Sequence, residues 1–158
     1  MTDVRLRDGV VADATLAAAI QERASVAGLA HVFPPEQYPY PSAAIRERWT
    51  ALLGAGEHRV LVAEHDGEAV GVVAVRRGWL DGLYVVPERW GTGVAGELHD
   101  AGLDHLRGLG VTACRLWVLE GNTRARRFYE RRGWELDGTT RVVPYPPTPL
   151  DVGYTIRL

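Results

Sequence analysis

Cysteine and lysine are two of the residue types that this sequence nearly or wholly lacks. Cys114 is the only cysteine, which excludes a disulfide bond within the chain and suits a reducing cytoplasm. All 18 basic residues are arginine, so a Schiff-base lysine and the lysine of a P-loop are both excluded. Cys114 lies inside a predicted strand without an adjacent basic cluster, and we therefore expect it to be a small core residue.

The sequence also lacks long apolar runs and an excess of charge of either sign. Its first ten residues contain no apolar core of a signal peptide, and its longest apolar runs have only the length of a strand. The formal net charge of −2 gives no general attraction to nucleic acid or to anionic membranes. We therefore expect a cytoplasmic protein, and 158 residues predict one domain spanning 1–158.

The most informative stretch joins a strand-like run to a glycine-rich loop. The run LYVV at positions 83–86 predicts a buried strand, which Pro87 ends. The loop GTGVAG at 91–96 then leads into a helical pattern. Glycines at such a junction let an anion approach backbone N–H groups at the positive end of the helix. This order predicts a phosphate-binding loop.

Two alternative functions rest on short patterns. The loop matches the dinucleotide fingerprint G-x-G-x-x-G, with Glu120 near the place of the ribose-binding acid, which favours a nicotinamide- or flavin-binding oxidoreductase. Against it, residues 87–90 separate the strand from the first glycine, and the loop lies past mid-chain. The basic and aromatic segment RARRFYERR at 124–132 is compatible with an RNA-binding module, although no further basic patch accompanies it.

Hydrophobic periodicity predicts a mixed sheet with helices on its faces. Strands are expected near 4–6, 58–64, 69–76, 83–86, 112–119, 134–136 and 152–157, and helices near 14–24, 42–54, 94–108 and 123–132. Asp13, Ser42 and Asn122 are expected to cap three of the helices. Two proline-rich loops, at 31–41 and 143–149, break the regular pattern.

A second motif, N-x-x-A-x-x-F-Y-x-x-x-G-W, begins at Asn122. On a helix it places Asn122, Ala125 and Tyr129 along one flank and directs Phe128 to the core. Together with P-E-x-W-G-x-G-V-A at 87–95, it resembles the GCN5-related N-acetyltransferase (GNAT) family over about 58–137. The resemblance implies the GNAT fold, of the α/β (α+β) class: a twisted, mixed, mostly antiparallel sheet of about seven strands flanked by about four helices.

The resemblance also implies acetyl-CoA as co-substrate and direct attack by an amine in a ternary complex. Tyr129 matches the tyrosine beside the thioester sulfur, and Asn122 matches a residue that hydrogen-bonds the cofactor. Backbone contacts to the cofactor are implied for Leu83, Tyr84, Val85, Gly91, Gly93, Val94, Ala95 and Gly96. Trp90 stands where the family usually has Arg or Gln, so a phosphate contact from Arg89 or from the arginines at 124, 126 and 127 is an alternative.

The expected acceptor side carries acids and aromatic residues. An amine must lose a proton to attack a thioester, and the candidate proton acceptors are Glu120, Asp81 and Glu36, in that order, or a water chain. The side chains expected to bind the acceptor are Phe33, Glu36, Tyr38, Tyr40 and Tyr145. Carboxylates and tyrosine faces favour a cation, so we expect a small cationic primary amine, with a protein N-terminus or lysine as the alternative acceptor.

Other partners are not expected from the sequence. No His, Cys or Asp group has metal-ligand spacing, so no metal is predicted, and His99 and His105 are expected on a partly packed helix surface. We expect no nucleic-acid or membrane partner, and a homodimer is left open.

Overall fold

Seven strands form one mixed sheet in the computed structural model, which describes residues 3–158. Every pair of neighbouring strands is antiparallel except β4 and β5, which run parallel. The predicted fold class, a mostly antiparallel mixed sheet with four helices, is confirmed. In spatial order the strands are β1 (Arg5–Asp8), β2 (Arg59–His65), β3 (Glu68–Arg76), β4 (Trp79–Val85), β5 (Ala113–Leu119), β7 (Leu150–Arg157) and β6 (Glu135–Val142).

Four helices cover the two faces of this sheet: α1 (Ala14–Gly28), α2 (Ser42–Gly54), α3 (Val94–Gly108) and α4 (Thr123–Arg131). A Cβ added to Gly102 of α3 would lie 3.0 Å from Val75, so α3 packs closely on the face that carries Val73 and Val75. Trp49 of α2 contacts Tyr84, which points to the opposite face because side chains alternate along a strand. Over the described part of the chain, no helix has the length and apolar character needed to cross a membrane.

The core lies on both faces of the central strands, under α3 on one face and under α1 and α2 on the other. Val62, Val72 and Val73 of β2 and β3 are completely buried, as is Leu98 of α3. The apolar run of β3 is buried on both faces, as its lack of alternation predicts for a central strand. This rigid centre holds β4 and its following loop in place.

The two parallel strands diverge after a single residue pair. β4 and β5 are paired only at Trp79 and Arg115, whereas β5 pairs with β7 along its whole length. Asp81 is an extra residue in β4, since Ala74 lies opposite Gly82 and the next pair skips to Leu80. Such a bulge increases the local twist and bends the strand. The space between the carboxyl halves of the two strands is here called the β4–β5 gap.

Two of the three predicted helix caps are wrong. The Asp13 carboxylate accepts a hydrogen bond from the Val10 N–H at 2.8 Å and pairs with Arg7 at 2.9 Å, so it does not cap α1. That arginine holds the pKa of Asp13 below its usual range. Ser42 is already helical, and its hydroxyl bonds Glu22 instead of a backbone N–H. Asn122 does cap α4, because its side-chain oxygen accepts from the Ala125 N–H at 3.2 Å.

Candidate active site

The β4–β5 gap exposes backbone groups that a neighbouring strand would normally bind. The Val86 N–H donates to the Val70 carbonyl at 2.9 Å, so Val85 and Gly71 form a pair without mutual hydrogen bonds. The backbone groups of Leu83 and Val85 therefore point away from β3 and into the gap. Those of Tyr84 point toward β3, so the predicted backbone contact from Tyr84 is wrong, and only its side chain is available.

Trp90 lies at the end of this gap where β4 ends, beside Val85. Its indole N–H donates to the Val85 carbonyl at 2.8 Å, and its ring packs against Gly28 at the end of α1. The guanidinium carbon of Arg124, from α4, lies over the same indole at 3.7 Å from the ring centre. Trp90 thus occupies one backbone carbonyl of the gap, that of Val85, and its ring connects the glycine loop to α4.

The glycine loop directly follows Trp90. Gly91 and Gly93 have φ angles of 74° and 92°, a region that other residues rarely adopt, and both are exposed. The N–H groups of Val94, Ala95 and Gly96 are the first of α3, so no carbonyl within the helix is available to them. These are the residues for which phosphate contacts are predicted, and the structure brings them together beside the gap.

Tyr129 lies on the other wall of the gap. Its ring is buried and packs edge-to-face on Phe128 and Trp134, with centroid distances of 5.3 and 5.7 Å. Its hydroxyl makes no hydrogen bond with residues 3–158. Burial raises the pKa of Tyr129, so the hydroxyl keeps its proton and can donate it in a hydrogen bond.

His99 is buried beside Tyr129, so its predicted position on the helix surface is wrong. The Trp134 N–H donates to His99 Nε2 at 2.9 Å, so the proton of a neutral ring lies on Nδ1, which donates to Asp100 at 2.8 Å. Burial lowers the pKa of His99. The indole and the carboxylate therefore fix one neutral tautomer against Tyr129.

On the opposite face of the sheet, four side chains interact electrostatically around the Tyr84 hydroxyl. They are here called the tyrosine–aspartate cluster: Tyr40, Arg48, Tyr84 and Asp151. Burial raises the pKa of both tyrosines, and the Tyr40 hydroxyl is buried without a hydrogen-bond partner among the described residues. Arg48 lowers the pKa of Tyr84 and Asp151 raises it, so both charges lie close to that hydroxyl.

Asp151 is the functional candidate that the sequence analysis missed. It lies opposite Leu119 of β5, is only 7% exposed, and accepts a hydrogen bond from Arg141 Nε at 2.8 Å. Tyr154, three residues on, bonds α4 through its hydroxyl, so the alternation of β7 directs Asp151 to the other face, where Tyr84 lies. The available signal was an acid placed at the start of an otherwise apolar strand.

The three predicted proton acceptors lie in different surroundings. Glu120 follows β5 at the carboxyl end of the gap, and its side chain is exposed. Asp81 lies in the bulge of β4, where it is paired with Arg76 Nε and with His58 Nε2, each at 2.6 Å. This pairing argues against Asp81 as a proton acceptor. Glu36 is exposed on the loop between α1 and α2.

Both proline-rich loops lie at the carboxyl end of β5. His31 Nε2, from the first loop, is 2.7 Å from the Gly121 carbonyl. The second loop ends at Leu150, whose carbonyl accepts from the Glu120 N–H at 2.9 Å. Their predicted acceptor-binding residues differ in burial: Phe33, Tyr38 and Tyr40 are half-buried, while Glu36 and Tyr145 are exposed.

Comparisons with known proteins agree with this architecture. Residues 24–134 match the Acetyltransferase (GNAT) family. An uncharacterized N-acetyltransferase of Archaeoglobus fulgidus is 37% identical over 89 residues, 49% of this chain and 60% of the relative. A mycothiol acetyltransferase of Propionibacterium freudenreichii is 38% identical over 99 residues, 63% of this chain and 26% of the relative. The chain belongs to the GNAT acetyltransferase family.

Solved structures show the same fold over the whole chain. A GCN5-related N-acetyltransferase of Rhodopseudomonas palustris superposes with a TM-score of 0.84 at 23% identity, covering 100% of this chain and 98% of the other. The PaiA N-acetyltransferase of Thermoplasma acidophilum, solved with coenzyme A, gives 0.76 at 17% identity, covering 98% and 99%. At these identities the likeness concerns the fold alone. The curated relatives named above are longer than their matched segments, which span about 60% and about a quarter of their lengths.

Proposed function

We propose that this chain transfers the acetyl group of acetyl-CoA to a small primary amine by direct attack within a ternary complex. The observation that carries the proposal is the β4–β5 gap. The backbone groups of Leu83 and the N–H of Val85, which no strand binds, lead from the glycine loop to the buried Tyr129 hydroxyl. A long, amide-containing cofactor arm with a phosphate at one end and a thioester at the other matches this series of groups.

The cofactor extends along the gap in this proposal. Its phosphates face the first N–H groups of α3, and its pantetheine amides take the place of the missing strand at Leu83. The Val85 N–H remains free although Trp90 occupies the carbonyl. An N–H directed into the gap at the thioester carbonyl would stabilise the negative charge that develops there.

Tyr129 serves the leaving group. As the amine nitrogen bonds the thioester carbon, the C–S bond breaks and the sulfur gains negative charge. A tyrosine of pKa ~10 would lose about 2 kcal/mol in giving its proton fully to a thiolate of pKa ~8.5, and burial raises the pKa of Tyr129 further. A hydrogen bond that strengthens as the charge develops is therefore the role assigned to this hydroxyl.

The tyrosine–aspartate cluster serves the amine. A buried carboxylate at Asp151 attracts an ammonium group, and the faces of Tyr40 and Tyr84 add cation–π attraction of about 0.5 to 2 kcal/mol. Glu120, exposed at the end of β5, is placed to pass the released proton to water. The proline-rich loops around this space favour a small acceptor, and the mycothiol acetyltransferase relatives also suggest a small molecule. We expect the reaction to take place in the cytoplasm, where the unpaired Cys114 remains reduced.

A ligand comparison followed by an acceptor panel tests the proposal. Acetyl-CoA should raise the melting temperature, while NAD and an oligonucleotide should not, because only a ligand of the native state stabilises it; at 100 times Kd the gain is about 2.7 kcal/mol. Free CoA release is then measured with amines, amino acids, aminoglycosides and peptides. Stabilisation by NAD alone would contradict acetyl transfer, and reaction only with peptides would contradict the small-molecule acceptor.

A further inference from the structure

Arg124 is an exposed side chain whose guanidinium lies over the Trp90 ring and has no anionic partner among the described residues. It makes no ion pair with residues 3–158, and burial, with no carboxylate to offset it, lowers its pKa. A guanidinium without a carboxylate partner is free to bind an anion brought beside it. Its position, above Trp90 and therefore next to Gly91, lies at the entrance of the glycine loop.

Two arginines near the glycine loop, Arg126 and Arg132, are already engaged. Arg126 donates to the Tyr154 hydroxyl at 2.9 Å and to the Glu120 carbonyl at 3.0 Å. Arg132 pairs with Asp100 at 3.0 Å and covers Gly96. Unlike Arg126 and Arg132, Arg124 has a guanidinium whose N–H groups bond no other side chain in the described structure.

The contact with Trp90 holds this guanidinium without using its N–H groups. Cation–π attraction acts through the ring face, so the five N–H donors of the guanidinium remain available to a ligand. Two parallel N–H donors match two oxygens of one phosphate. The indole is itself fixed by its hydrogen bond to Val85 and by its packing on Gly28.

We propose that Arg124, held by its contact with Trp90, binds a phosphate group of the coenzyme A thioester, and that Trp90 is a positioning residue for this contact. In this chain the side-chain phosphate contact comes from α4, across the gap, and the residue before the glycine loop holds it in place. The inference rests on the proposed function, since it requires a phosphate-bearing cofactor in the gap.

Three ligands of decreasing phosphate content test this contact: CoA, dephospho-CoA without the 3′-phosphate, and acetyl-pantetheine without any phosphate. Calorimetry gives Kd for the first two, and kcat/KM is measured with acetyl-pantetheine as donor. Arg124→Ala and Arg124→Gln should weaken CoA about 10- to 100-fold and leave kcat/KM with acetyl-pantetheine unchanged. An equal loss with dephospho-CoA assigns the contact to the pyrophosphate, and a loss confined to CoA assigns it to the 3′-phosphate.

Matched variants separate this contact from general charge and from folding. Arg131→Ala removes one exposed arginine about 10 Å further along α4 and should change Kd by less than about twofold. Trp90→Phe keeps an aromatic face and should retain most of the affinity, whereas Trp90→Leu should weaken CoA about 3- to 10-fold with no effect on acetyl-pantetheine.

The outcomes distinguish the inference from the proposed function. If the unsubstituted protein does not bind acetyl-CoA, the proposed function fails. If it binds and both Arg124 variants bind CoA as tightly, only the phosphate contact is overturned. An equal loss with acetyl-pantetheine would show a structural role for Arg124 and would overturn it as well, and unchanged CoA binding by Trp90→Leu would overturn the positioning role.

Discussion

The two sides of the β4–β5 gap are built in different ways. The cofactor side consists of two continuous segments, 83–96 and 122–134, and most of its proposed contacts come from backbone groups. The acceptor side consists of side chains from four separate elements, including Tyr40 before α2 and Asp151 on β7. A site made of backbone in continuous segments leaves a readable pattern in the sequence, whereas a site assembled by tertiary packing does not.

The largest effect is expected from a charge inside the glycine loop. Gly93→Asp should weaken acetyl-CoA more than about 1,000-fold, because the carboxylate repels phosphate at the N-terminus of α3. Gly93→Asn is the matched control, since it has nearly the same shape without the charge and tolerates the positive φ of 92° better than most residues. Calorimetry on both folded variants checks this, and equal binding by the two would place the phosphate elsewhere.

The next largest effect is expected at Tyr129. Tyr129→Phe keeps the packing on Phe128 and Trp134 but removes the hydroxyl, so kcat should fall about 10- to 1,000-fold, or about 1.4 to 4 kcal/mol, with acetyl-CoA affinity nearly unchanged. Steady-state kinetics over a range of pH checks this. Normal turnover in a folded variant would leave Tyr129 a packing residue only.

A smaller effect, on the other side of the gap, tests the acceptor cluster. Asp151→Asn should lower kcat/KM for the amine about 10- to 30-fold and leave acetyl-CoA binding unchanged, because it removes the buried negative charge that attracts the ammonium group. Arg141→Gln removes the partner of that carboxylate and keeps the carboxylate itself, so it serves as the control. Glu120→Gln should have a smaller effect; a larger one would return the amine-binding role to Glu120.

The fold was largely predictable because its signals are local. The lack of alternation in β3, the turn sequences and the cap at Asn122 fixed the order of elements. β6 was predicted only as a short strand at 134–136, since Gly138, with a positive φ, interrupts its pairing with β7. Asp13 and Ser42 bond side chains from other elements, Arg7 and Glu22, instead of the backbone N–H groups of a helix. These contacts depend on tertiary packing and therefore left no signal in the capping pattern.

The residues of the candidate site also fall into two groups, those predictable from local motifs and those that depend on tertiary packing. The glycine loop, Asn122 and Tyr129 were named from motifs, and the structure brings them together. The bulge at Asp81 and the burial of Asp151 follow from strand register, which a single sequence does not determine. Trp90 could be recognised as unusual, but its contacts with Val85, Gly28 and Arg124 depend on three elements meeting.

The smallest effect concerns the wall that supports Tyr129. Burial lowers the pKa of His99 below the value of about 6.5 for an unfolded histidine, with Asp100 opposing this shift and Arg132 adding to it. Between these two pKa values the unfolded chain binds more protons than the folded one, so stability should fall as the pH drops below about 6.5.

His99→Gln keeps an acceptor for Trp134 that does not titrate. Urea unfolding at pH 8, 7, 6 and 5 should therefore show a smaller decline for this variant than for the unsubstituted protein. The remaining decline includes His105, whose pKa is also lowered by burial. Parallel curves for the two proteins would mean that His99 accepts a proton without disturbing the Tyr129 wall, and the cofactor side would then be less rigid than its packing indicates.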